Sequence, residues 1–132
     1  MKDSFTTSKT YFQSQKHAIE GLISIIKNER NFRIQLVVAF FVVILGIILK
    51  ISYESWIAVG FLIALVLISE AFNSVIEALS DTISNKYDVN IKYAKDVSAG
   101  CVLVSAIASV LLGLIIFIPY IMPIIKDLFS QL

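Results

Sequence analysis

Three stretches of the chain are apolar almost without interruption: Phe32 to Ile51, Trp56 to about Leu79, and Val97 to about Met122. Each reaches the roughly 20 residues that a helix needs to cross the hydrocarbon core of a bilayer. Three transmembrane helices are therefore predicted at residues 32–51, 56–79 and 97–122. Arg33 and Lys50 close the two ends of the first, with side chains long enough to snorkel to the interfaces. Between Ile51 and Trp56 there is room only for a tight turn, so the first two spans should pair as an antiparallel hairpin. Pro119 and Pro123 are expected to kink or end the third span, with Lys126 and Asp127 marking the return to water. Ahead of the spans, Phe12, Ile19, Leu22, Ile23 and Ile26 fall on one side of a helix and Gln13, Lys16, Glu20, Ser24 and Lys27 on the other. Residues 1–31 thus read as an amphipathic arm lying in the interface, and residues 32–132 as an all-α transmembrane domain.

The second stretch breaks its own pattern near its end, in the run Ile68-Ser69-Glu70-Ala71-Phe72-Asn73-Ser74-Val75-Ile76-Glu77-Ala78-Leu79. An ionisable side chain within a span costs at least a few kcal/mol, which makes it a functional-site hypothesis by default. At about 100° per residue, Glu77 returns to within roughly 20° of Glu70, and Asn73, Ser74 and Asp81 lie within about 60° of the same line. One helix face carries nearly all the polar groups. If Trp56 marks the outer boundary, a rise of about 1.5 Å per residue puts Glu70 roughly 20 Å down and Glu77 roughly 30 Å down, at the inner interface. Glu29 and Arg33 reach that level from the first span, and Lys95 and Asp96 from the third.

Composition agrees with the pattern: hydrophobic residues make up 58% of 132, and the mean hydropathy of +0.85 is too high for a soluble domain of this size. The net charge of +1 is informative only in its distribution. Lys2, Lys9, Lys16, Lys27, Arg30 and Arg33 precede the first span, whereas the first loop offers only Lys50. That asymmetry predicts a cytoplasmic N-terminus, a cytoplasmic second loop with Lys86, Lys92 and Lys95, and a C-terminus outside. The first apolar stretch starts too far in for an ordinary cleaved signal peptide. Cys101, the single cysteine, is expected to be a buried, inert thiol, and His17 a surface or headgroup contact. Ser105, Ser109 and Gly113, spaced four apart, make a stripe suited to close helix packing, including packing between copies of the chain. Nothing suggests nucleic-acid binding, and the five glycines form neither G-x-x-x-x-G-K-[ST] nor G-x-G-x-x-G.

The polar constellation has a definite chemistry. Glu29 and Glu77 offer the hard oxygen ligands that Mg²⁺ takes as one or two carboxylates plus substrate phosphates. Glu70, deeper and drier, is placed to act as general base on a lipid hydroxyl. Lys95 suits neutralisation of phosphate charge, and Asn73 the orientation of a carboxylate or phosphate. This set fits phosphoryl transfer from a water-soluble donor to a membrane-dissolved acceptor. Two other readings stay open on the residues alone: a proton-coupled transporter using Glu70 as its carrier group, and a structural protein whose carboxylates satisfy one another across an oligomer.

These residues resemble the small prokaryotic diacylglycerol kinase family, lipid kinases with three spans. The resemblance covers most of the chain and rests on Asn28-Glu29-Arg30-Asn31-Phe32-Arg33, on Glu70-x-x-Asn73-Ser74-x-Ile76-Glu77, and on Ala94-Lys95-Asp96 followed by Ala99-Gly100. It implies a homotrimer with sites shared between protomers in a bacterial cytoplasmic membrane, Mg²⁺-dependent use of ATP, Glu70 as general base, Glu29 and Glu77 as metal ligands, and Asn73, Lys95 and Asp96 in the active site. Lys92-x-x-Lys95-Asp96, Glu29-Arg30-Asn31 and the run Gly113-Leu114-Ile115-Ile116-Phe117-Ile118-Pro119 look like the Gram-positive branch, whose members typically phosphorylate undecaprenol rather than diacylglycerol. The chain departs from the pattern at Gln35, where many members have an acid, and at Lys86 and Asp88, where many have Glu and His. Those departures bear on nucleotide contacts. Asp81 resembles a family acid on the catalytic face.

Overall fold

A computed structural model describes residues 11–83 and 88–130. It contains four helices: α1 (Tyr11–Asn28), α2 (Arg30–Leu49), α3 (Tyr53–Ile83) and α4 (Val89–Ser130). The last three are long and apolar enough to cross a membrane. Lys2, Lys9 and Lys86, counted in the charge pattern, lie outside the described residues. All of α1 is amphipathic surface helix with no buried residue, and His17 and Lys16 pair with Glu20 on its exposed side.

The corner between α1 and α2 is a single extended residue, Glu29, at φ −96° and ψ 113°. Arg33 Nη1 donates to the carbonyls of Ile26 and Lys27 at 3.1 and 2.7 Å, capping the last turn of α1. A cation here satisfies carbonyls that the helix end leaves open and complements its dipole. Arg33 therefore fixes the bend rather than only reaching for the interface.

At the other end of α2 the chain reverses through a Schellman motif. Lys50 adopts a left-handed conformation at φ 50°, its N–H bonds Ile47 O at 3.2 Å, and Ile51 N–H bonds Gly46 O at 3.2 Å. Ser52 then caps α3: its Oγ accepts from Ser55 N–H at 3.3 Å. Tyr120 of α4 reaches the same place, where its hydroxyl accepts from Ser52 N–H at 3.0 Å and lies 3.1 Å from Ser55 Oγ. A core of Ile51, Val59 and Phe117 sits behind this turn, with Trp56 and Tyr120 packed against it. Trp56, the assumed outer boundary of the second span, is half-buried against that cluster.

Gly46 shows how tight the turn is. A Cβ there would sit 2.8 Å from Cη2 of Trp56 and 3.1 Å from Cδ1 of Ile51. Gly46→Ala should destabilise the hairpin by about 1–3 kcal/mol, the usual cost of overpacking a closed site. A lowered thermal unfolding midpoint in detergent is the expected readout; an unchanged midpoint would mean that the indole moves aside without cost.

Neither proline ends α4, which runs on to Ser130. A proline loses one backbone bond and crowds the preceding turn, but packing of Phe117, Tyr120 and Ile121 against the turn between α2 and α3 holds the helix across the first of them. The helices also overshoot the predicted spans: α3 has 31 residues and α4 has 42, about 46 and 63 Å at 1.5 Å per residue, so both project well beyond a 30 Å core.

α3 packs chiefly on α4 and secondarily on α2, while α2 and α4 barely meet. The small-residue stripe explains the first contact. Ser105 is buried, and Ser109 Oγ donates to Leu62 O across the helix pair at 3.5 Å. Ser105 and Ser109 are thus used within one protomer, while Gly113 borders open space beside the groove. Cys101 is exposed, contrary to expectation, because it falls on the outward side of α4. Phe40, Phe41, Phe61, Phe72 and Leu103 are exposed as well, as befits a surface solvated by lipid or covered by neighbouring chains. The thin contact between α2 and α4 leaves an apolar groove of about 450 Å³, walled by Val38 and Val42 of α2, Leu62 and Val66 of α3, and Ala106 and Val110 of α4.

Candidate active site

Helical periodicity buries one polar face of α3 against its neighbours. Glu70 is 3% exposed and Asn73 7%, with Ser74 and Ser80 buried alongside. Glu77, one turn beyond Asn73, is half-buried, and Asp81 is exposed. Burying a carboxylate this deeply demands partners, and α2 supplies them. Gln35 Nε2 donates to Glu70 Oε2 at 3.1 Å, and Asn31 stands one turn earlier on the same face. Glu29 and Glu77 are near enough for their charges to act on it.

Asn73 is the junction between α3 and α4. Its Nδ2 donates to Glu77 Oε1 at 3.3 Å while its Oδ1 accepts from Ser98 Oγ at 2.7 Å. The amide thereby fixes one Glu77 oxygen. Lys95, one turn before Ser98, donates to Asp81 Oδ1 at 2.9 Å and bridges the same two helices nearer the helix ends. Glu29 reaches the site from the corner between α1 and α2, half-buried and with no cap bond from its side chain.

The structure therefore gathers Glu29, Glu70, Asn73, Glu77 and Lys95 at one end of the bundle. It does not bring Asp96 to them within the chain: Asp96 is exposed and forms an ion pair with Lys92 one turn back on α4. Asp88 serves as the N-cap of α4, its Oδ1 accepting from Asn90 and Ile91 N–H at 2.8 and 3.2 Å. Among the described residues no three His, Cys, Asp or Glu side chains cluster as a ready ligand set.

Two contributors were missed in the sequence. Ser98 gives no signal by type, since a serine in an apolar helix usually bonds its own backbone, as Ser98 also does to Lys95 O at 2.9 Å. Gln35 did give one: besides Arg33, it is the only strongly polar residue between Phe32 and Leu49. It lines the apolar groove at the end nearest Glu70, and its Oε1 is buried with no hydrogen-bond partner, the only such side-chain atom among the described residues. An orphaned buried carbonyl costs about 1–3 kcal/mol.

A buried carboxylate beside further acids, amides and a lysine, at the end of an apolar groove in a helical membrane protein, is an arrangement suited to an enzyme acting on a membrane-dissolved substrate. The comparisons agree. The profile of the prokaryotic diacylglycerol kinases matches residues 16–117. An undecaprenol kinase from Bacillus subtilis (strain 168) is 35% identical over 118 residues, covering 89% of this chain and 96% of that protein. A diacylglycerol kinase from Synechocystis sp. is 29% identical over 119 residues, covering 89% of this chain and 68% of that one. The chain belongs to the prokaryotic diacylglycerol kinase family and is a lipid kinase. A kinase of this family implies ATP as phosphoryl donor, and the transporter and structural readings fall away.

Proposed function

We propose that this kinase phosphorylates undecaprenol, converting a polyprenyl alcohol into its monophosphate at the cytoplasmic interface. The observation that carries the reading is Glu70, buried between α2 and α3 near the Gln35 end of the apolar groove. A lipid tail along that groove would bring its terminal hydroxyl to the carboxylate. The B. subtilis relative, similar over nearly its whole length, is named for undecaprenol, whereas the relative named for diacylglycerol is less similar.

In this reading Glu70 takes the hydroxyl proton as the lipid oxygen bonds to the γ-phosphorus of ATP and the bond from that phosphorus to the β–γ bridging oxygen breaks, releasing ADP. Lys95 spends one donor on Asp81 and has two more for phosphate oxygens. Asn73, held by Ser98, keeps Glu77 oriented. Glu29 and Glu77 fit Mg²⁺ held in the common way, by one or two carboxylates completed by substrate phosphates: Glu29 has an uncapped side chain, and only Oε1 of Glu77 is engaged by Asn73. Bound there, Mg²⁺ would neutralise charge on the phosphates. Asp96 would act from the flank of the site, or across a boundary between protomers in a homotrimer. The excess of Lys and Arg before α2 supports a cytoplasmic N-terminus and arm, with the C-terminus outside.

Labelled ATP offered in mixed micelles with undecaprenol and with diacylglycerol should give faster transfer to undecaprenol at matched concentrations. Faster transfer to diacylglycerol would replace the proposed acceptor with the glyceride.

A further inference from the structure

We propose that Gln35 is the positioning residue of the general base: its amide holds one Glu70 oxygen and so leaves the other turned to the acceptor hydroxyl. The inference rests on the reading of Glu70 as base. Three observations converge on it. Gln35 Nε2 donates to Glu70 Oε2 at 3.1 Å, so this carboxylate is pinned from α2 at a named oxygen. The opposite atom of the same amide, Oε1, is buried without a partner. An apolar residue in this apolar wall would leave no such orphan, so the amide is held there at a cost that packing does not repay. Finally, Gln35 stands where the α2 face changes character, from Asn31 and Gln35 to Val38 and Val42. That change is where a lipid tail gives way to its hydroxyl.

Where many members have an acid, this chain has an amide, which supplies Glu70 with a donor. Glu29 and Glu77 already place negative charge near Glu70, and Lys95 on α4 is engaged by Asp81. Gln35 contributes a donor without adding another charge. Holding a base in its productive orientation acts on the chemical step, because small misplacements of a reacting group cost large factors in rate.

The test uses the full chain in mixed micelles, with labelled ATP and the preferred lipid, and makes Gln35→Met and Gln35→Glu both alone and with Glu70→Gln. Methionine keeps the length and suits the apolar wall but cannot donate; glutamate keeps the length and replaces the donor with a charge. Gln35→Met should lower kcat about 10-fold or more with KM for ATP within about twofold, and Gln35→Glu should lower it further. In the Glu70→Gln background neither change should slow the residual rate, since a positioning residue has nothing left to position. The unfolding midpoint of each variant shows whether it is folded, and either folded variant suffices. Full turnover in Gln35→Met, a loss appearing only in KM for ATP, or losses that multiply with Glu70→Gln would overturn the proposal. If Glu70→Gln alone kept wild-type turnover, the base assignment itself would fall, a result distinct from a slow Glu70→Gln with a fully active Gln35→Met.

Discussion

Glu70→Gln should lower turnover by about 10²-fold or more while leaving nucleotide affinity within a few-fold, the usual scale for losing a general base. The substitution is nearly isosteric, and Gln35 still offers a hydrogen bond to the new amide oxygen, so the fold should survive. What disappears is the capacity to take a proton from the lipid hydroxyl. Because Glu70 is 3% exposed, bulk water is a poor substitute. Turnover measured beside calorimetric binding of nucleotide checks both halves, and an enzyme that kept its rate would take the base role away from Glu70. The same variant probes the assembly: mixed with a Glu29→Gln protomer, it should regain some activity if sites are shared between chains, and no rescue in confirmed mixed oligomers would count against sharing.

Much of this site could be read in the sequence because an α-helix converts spacing into direction. Glu70, Asn73 and Glu77 fall on one face at 100° per residue, and α3 buries the first two together and holds the third beside them. Lys95 was singled out because a lysine level with those acids suits phosphate, although read alone it is equally an interfacial anchor. What could not be read depended on contacts between helices. Whether Ser98 would meet Asn73 turns on the rotation of α4 about its axis, and Tyr120 meets Ser52 across 68 positions of sequence.

Two expectations were only partly met, for the same reason. Pro119 and Pro123 were expected to kink or end the span, and α4 ends at neither, because tertiary packing overrides local propensity. Ser105, Ser109 and Gly113 were expected to serve close helix packing, within the chain or between copies, because a stripe of small residues states that something comes close without stating what. Here α3 comes close, from the same protomer. Asp96 illustrates the converse: its local ion pair with Lys92 is the ordinary outcome for charges four apart on a helix, and a single chain offers it no other partner among the described residues.

Glu77→Gln should separate from Glu70→Gln by acting on binding. Glu77 lies seven residues further along α3, about 10 Å nearer the end of the helix, and is half-buried where Glu70 is sealed. A neutral amide is a poor ligand for a hard cation that favours charged oxygens. Mutation of groups that merely orient a ligand already lowers metal affinity by about 10- to 100-fold, so the loss of a direct carboxylate ligand should weaken Mg²⁺–ATP binding by about 10-fold or more. Asn73 would keep its hydrogen bond to the new side chain through the amide oxygen, since Nδ2 is the donor in that contact, which limits structural damage. Calorimetric titration of Mg²⁺–ATP into each variant distinguishes the roles. If Glu77→Gln bound nucleotide like the parent while Glu70→Gln lost it, metal binding would belong to the deeper carboxylate and the order of the two acids along α3 would have to be reversed.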